Sequence, residues 1–276
     1  MTVLDRLSLN QATVRKLGVP EAVDLCARHD IGAIGLWREP VAEIGVAAAA
    51  AAVKAAGLDV SSLCRAGFFT HADPDARKAA IEDNKAAIAE AAGLGTSTLV
   101  LVSGGLVPGS RDIALARRMI ADAIAELVPV AQSHGVRLGI EALHPVFAAD
   151  RCVITRLGEA LDLAMAFPAD AVGVVVDTYH VWWDASLRHD IARAGERIVS
   201  YQVCDWILPL PADTLLGRGH VGDGYIDFPP ITAAVADAGY AGHIEVEIFN
   251  EAVWTAPPDE TAATVRERFP LAFPTA

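Results

Sequence analysis

The chain has 276 residues, 53% of them hydrophobic but only 6% aromatic, and a formal net charge of −13. Its length suits one large unit over residues 1–276, since a closed α/β barrel uses about 250 residues, and the acidic balance without a basic run disfavours nucleic acid. The longest apolar run, Ile44 to Val53, falls short of the ~20 residues that cross a bilayer, and MTVLDRLSLNQ has no leader pattern, so a cytoplasmic protein without membrane contact is expected.

In chain order, β-like runs alternate with helical ones. Leu7 to Asn10 precedes a helix near Pro20 to His29, and Ala33 to Leu36 precedes an alanine-rich helix from Val41 to Ala56. Val60 to Cys64 leads through a long loop to a helix from Asp75 to Ala92, which Gly93 and Gly95 close as stop signals. Ser97 to Val102 then feeds a helix from Ile113 to His134, and Val136 to Glu141 feeds one from Leu157 to Phe167. Val172 to Asp177, Ile198 to Gln202 and His243 to Ile248 complete eight strands, with helices near Ser186 to Ala194, Pro229 to Ala238 and Pro258 to Arg268.

Eight such alternations predict a parallel sheet closed into a single (β/α)8 TIM barrel. An open doubly wound sheet fits less well, because SLNQATV after the first strand has no glycine where a dinucleotide turn needs several. Cys26, Cys64, Cys152 and Cys204 form no CxxC pair, which argues for buried thiols over a zinc knuckle or disulfide framework.

The chemistry gathers at strand ends. Glu141, Asp177, Gln202 and Glu247 lie at the ends of strands five to eight, where a barrel carries its active site. An isolated ionised group in a dry site is too costly unless paired or given to a cation, and neighbouring strands are about 4.8 Å apart. Three carboxylates and an amide oxygen therefore predict one divalent metal, Mn²⁺ or Mg²⁺ rather than a thiolate-preferring ion. The competing reading pairs one or two of them with Arg137 or Arg218. Glu245, two residues before Glu247, faces the same side in strand alternation and rivals it as ligand.

Loop residues extend the site. His144, three residues past Glu141, is a candidate base, with a loop histidine bonded to backbone as the alternative. Trp37, Phe68, Phe69, Trp182 and Trp183 follow strands two, three and six, where they can stack on a sugar or simply pack over the mouth. His220 is a candidate for the pocket wall, Arg38 and Arg65 for a polar or acidic substituent or for ion pairs, and Asp205 for orienting a ligand.

The segments GIEALHP, VVDTYH, LGRGHVGDGYIDF and HIEVEIFNEAVW resemble the strand-end motifs of the xylose-isomerase-like sugar isomerase and epimerase superfamily. The resemblance implies that Glu141, Asp177 and Glu247 ligate the metal, that Glu141 and Glu247 are also the acid/base pair, and that His180 and Arg218 contact substrate. It also favours Glu247 over Glu245. Gln202 departs from the pattern, because most relatives place histidine there.

The function expected is isomerisation or epimerisation of a keto-sugar or inosose through an enediolate. The alternatives are a lyase, a sugar dehydratase or C-glycoside deglycosidase with His144 as base, and a non-catalytic sugar-binding protein. A phosphoesterase like endonuclease IV is disfavoured, since strands three and four end in SSLCRAGFF and LVLVSGG, without histidine. The expected partner is a small sugar or keto-sugar, with homo-oligomers common among such barrels.

Overall fold

Thr98–Val102 (TLVLV) and Val172–Asp177 (VGVVVD) are apolar without alternation, and every residue in both is buried. Such strands are covered on both faces, as in a parallel sheet wrapped by helices. The computed structural model describes residues 2–274. Its elements are β1 (Leu7–Asn10), α1 (Val19–Arg28), β2 (Ala33–Trp37), α2 (Arg38–Ile44), α3 (Val46–Ala55), β3 (Asp59–Gly67), α4 (Pro74–Leu94), β4 (Thr98–Val102) and α5 (Ile113–His134). There follow β5 (Arg137–Glu141), α6 (Leu157–Ala164), β6 (Val172–Asp177), α7 (Thr178–Val181), α8 (Leu187–Ala194), β7 (Ile198–Val203) and β8 (Asp205–Trp206). The chain ends with β9 (Arg218–Gly219), α9 (Phe228–Asp237), β10 (Ile244–Val246), α10 (Glu251–Thr255) and α11 (Pro258–Arg268).

Eight strands close a parallel barrel in the order β1, β10, β7, β6, β5, β4, β3, β2, which is the expected TIM barrel. The interior is narrow and filled by Cys64, Val100, Val175 and Val199, with Trp37 packed on top. A Cβ at Gly139 would stand 2.8 Å from Val199 Cγ2, so β5 tolerates no side chain at that level. Two residues later, Glu141 faces the same interior from the rim. Among the described residues, no helix is long and apolar enough to cross a membrane.

Local signals set most boundaries. Asp73 and Asp112 accept hydrogen bonds from the backbone N–H groups of Asp75 and Leu115, capping α4 and α5, and both helices end on a left-handed glycine, Gly95 and Gly135. Gly93, expected to help stop α4, lies inside it. The helix expected from Val41 to Ala56 is divided between α2 and α3, because Gly45 adopts φ +82° between them and leaves the alanine run wholly in α3.

Strand eight is shorter than expected. After Val246 the backbone leaves the ladder, and the Ile248 N–H is taken by the Thr13 hydroxyl at 2.9 Å. β3 is longer, reaching Gly67 and placing Arg65 on the strand. Two short features had no periodic signal in the sequence: the antiparallel ribbon of β8 and β9 and the single turns α7 and α10.

Candidate active site

β5, β6, β7 and β10 are consecutive around the barrel, so their carboxyl ends share one side of the mouth. Glu141, Asp177, Gln202 and Glu247 are all buried there. Register levels Asp177 with Gln202 and Gln202 with Glu245. Glu247 stands two residues higher and lines the mouth cavity together with Glu141, His180 and Arg218.

Glu245 lies lower and takes a different role. Its Oε2 accepts a hydrogen bond from Asn10 Nδ2 at 2.8 Å, and Gly35 makes room, since a Cβ there would meet that oxygen at 2.5 Å. Glu245 does not line the cavity. Alternation along the strand could not separate the two glutamates, because both point inward; their height in the barrel does.

The pairing of site carboxylates with an arginine falls to Arg218. The β8–β9 ribbon sets Trp206 opposite Arg218, a residue only 1% exposed. Its Nη1 donates to Asp177 Oδ2 at 2.9 Å and to Glu247 Oε2 at 3.0 Å. Arg137 is at the other end of β5 and donates to the Glu196 carbonyl.

His180 sits against the same guanidinium, with Nε2 3.0 Å from Arg218 Nη2 and Nδ1 3.1 Å from the His144 backbone N–H. Both neighbours are donors, and a neutral imidazole has only one acceptor nitrogen. One of these approaches is therefore a close contact rather than a hydrogen bond. Nε2 is also 3.8 Å from Glu141 Oε1 and 3.7 Å from Asp177 Oδ2, and these three side chains can present ligand atoms to one ion.

Electrostatically the cluster is overloaded with negative charge. Burial raises the pKa of Glu141 well above its ordinary value, with Asp177 and Glu247 adding repulsion. Burial pushes Glu247 up to about 8 despite Arg218, and raises Asp177 although Arg218 opposes it. Burial, reinforced by Arg218, holds His180 well below its ordinary value. Three dry carboxylates around one guanidinium suit an added cation.

Gln202 fits the same conclusion. Its Nε2 is 3.5 Å from Glu245 Oε2, while its Oε1 is buried without a hydrogen-bond donor among the described residues. A buried acceptor left unpaired is costly, and a metal ion would relieve it. The donor set is all oxygen apart from His180, as hard divalent ions prefer.

The cavity above has a volume of about 710 Å³. Trp37 is on its wall, fixed by donating from Nε1 to Asn10 Oδ1 at 2.7 Å. Phe68 lines it too, whereas Phe69 is fully buried. Phe249, Trp254, Arg15 and Arg151 also reach it, and nothing in their spacing had marked them.

Five expected site residues are not on that wall: Asp177 and Gln202, buried beside it, and His144, Trp182 and His220. The His144 ring lies between Trp183 and Trp206, at 5.6 and 4.9 Å between centroids. Its Nδ1 accepts from the Val146 N–H, so the backbone-bonded alternative for His144 describes the structure. Trp182 turns toward Trp206, 6.0 Å away. His220 sits half-buried in the turn in which its N–H donates to Asp223, off the cavity wall. Asp205 organises that turn instead of orienting a ligand, accepting from the N–H groups of Gly222, Gly224 and Ile226. Arg38 makes ion pairs with Asp83 and Glu90.

Comparison with known proteins matches this architecture. A sequence profile described as xylose isomerase-like TIM barrel covers residues 21–269. The crystal structure of a protein from Sinorhizobium meliloti 1021 superposes with a TM-score of 0.94 at 46% identity, covering 98% of this chain and 99% of that one. Inosose isomerase of Bacillus licheniformis is 26% identical over 208 residues, 72% of this chain and 71% of that protein. 3-Dehydroshikimate dehydratase of Pseudomonas aeruginosa is 30% identical over 169 residues, 59% of this chain, a match that spans 25% of that longer protein. The motifs at the strand ends, the closed eight-stranded barrel and the profile agree: the chain belongs to the xylose isomerase-like TIM barrel family.

Proposed function

We propose that the chain is a divalent-metal-dependent isomerase or epimerase of a keto-sugar or inosose, working through an enediolate. Glu141, Asp177, Gln202 and Glu247 are its metal ligands, with Mn²⁺ or Mg²⁺ as the ion. The observation that carries this reading is the charge imbalance: Glu141 and Glu247 line the cavity and Asp177 is buried beside them, with one guanidinium among the three, next to an amide oxygen without a donor among the described residues.

Glu141 and Glu247 enter the cavity from separate strands, β5 and the end of β10, so one can take a proton from the carbon beside the carbonyl while the other returns it. Raised proton affinity in both brings them nearer the operating pH of an acid/base pair. A bound divalent cation supplies positive charge to the oxygens on which negative charge develops. Arg218 and His180 hold substrate oxygens from the β6–β9 side. Leu143, Phe249 and Trp37 exclude water from the reacting carbon.

The match to a dehydratase supports a second reading in which the same proton abstraction ends in loss of a β-hydroxyl. Glu141 or Glu247 is then the base, since His144 is turned away. Incubating the Mn²⁺- or Mg²⁺-loaded protein with scyllo-inosose and related keto-sugars in deuterium oxide tests the common step. Deuterium should enter beside the carbonyl, and water loss distinguishes the second reading. The proposal is lost if no ketone exchanges, or if Asp177→Asn binds the ion as tightly as the wild type.

A further inference from the structure

The half of the mouth opposite the carboxylates contains a cation with no anion. Arg65 lines the cavity, yet among the described residues its guanidinium makes no hydrogen bond and has no carboxylate within 4.0 Å. Its neighbours differ: Arg218 is paired with Asp177 and Glu247, Arg151 with Asp213, and Arg38 with Glu90 and Asp83. In a chain with 35 acidic and 22 basic residues, an unpaired, half-buried arginine is notable because partners are plentiful.

Strand geometry aims it inward. The β3–β4 register shifts between Leu63 and Ala66, and within that irregular stretch consecutive residues Cys64 and Arg65 both reach the cavity although side chains on a regular strand alternate. Such irregularities re-aim side chains at the rims of barrels. The Arg65 guanidinium lies over Phe68 at 4.7 Å and near Trp37 at 5.6 Å. Stacking on aromatic faces leaves the in-plane N–H fork free for a planar oxyanion. Arg15, at the rim over Trp254 at 4.3 Å, is likewise unpaired. Glu39 and Glu43 share the rim but are exposed on α2.

We propose that Arg65 binds a carboxylate of the substrate, so that the natural substrate is an anionic polyhydroxy keto acid rather than a neutral sugar. This rests on the proposed function for the reacting end of the molecule and adds the group that anchors its other end. A carboxylate is favoured over a phosphate because a single half-buried guanidinium edge matches a planar monoanion with two parallel hydrogen bonds, whereas a phosphate dianion calls for a second cation beside it.

The test is titration calorimetry of the Mg²⁺-loaded full chain with quinate, its uncharged methyl ester and glucose 6-phosphate. Quinate should bind about tenfold or more tightly than the ester, the range for hydrogen bonds to a charged group. That ratio should collapse to near one in Arg65→Gln and be partly kept in Arg65→Lys, both checked for native circular dichroism. Failure of quinate to bind, a ratio near one in the wild type, or an unchanged ratio in Arg65→Gln overturns the assignment. Tighter, Arg65-dependent binding of glucose 6-phosphate overturns it in favour of phosphate. Deuterium exchange into scyllo-inosose and into the anionic keto acid 3-dehydroshikimate separates this from the proposed reaction: exchange lost from both with the ratio intact removes only the reaction, and the reverse removes only the anion site.

Discussion

The two halves of the barrel mouth are built on different principles. Over β5, β6, β7 and β10, charged groups hold one another: Arg218 bridges Asp177 and Glu247, and Glu141 and His180 crowd the same few ångströms. Over β1 to β3, aromatic faces predominate, with Trp37 pinned to Asn10 and Arg65 lying on Phe68. One half carries an excess of buried negative charge that suits a cation, whereas the other is mainly aromatic, with the unpaired Arg65 among its rings. In the proposed reaction, bond-making chemistry and selection of the molecule fall to separate strands.

Substitutions can break that division. The largest effect should come from Glu141→Gln or Glu247→Gln, which removes a proton-transfer group and should lower kcat by about 10³-fold while leaving the fold intact by circular dichroism. Equal losses of kcat on truncating Trp37 would contradict the separation. Next, Arg218→Met should destabilise the metal-free protein by about 3 kcal/mol, because it strands two buried carboxylates, and urea denaturation with added Mg²⁺ should recover part of the loss. Gly35→Ala should cost about 2 kcal/mol through overpacking against Glu245 and Asn10, a change confined to the barrel interior and measurable by thermal unfolding. Smallest, Trp37→Phe removes the hydrogen bond to Asn10 and should cost about 1 kcal/mol, appearing in KM more than in kcat.

Legibility from sequence follows the same line. Glu141 and Asp177 stood out because a carboxylate closing a wholly apolar strand has few explanations, and strand order made them neighbours. Arg218 was harder, since LGRGHVGDG reads as an exposed glycine-rich loop and only the two-residue ribbon draws the guanidinium inside. His144, Trp182 and His220 were misplaced for a related reason. Their orientation depends on packing around Trp206 and on the turn held by Asp205, contacts distant in sequence and without periodicity. Arg65 was visible as a candidate, but its inward aim falls within a register shift in β3 that residue pattern does not encode.

The ribbon has one more consequence. Trp206 and Arg218 face each other across it, so residues 207–217 leave and rejoin the barrel at a fixed gate. Within that excursion Asp213, Leu215 and Leu216 roof the cavity. The cover therefore closes on the same residue pair that anchors Arg218, and cover and guanidinium share one support.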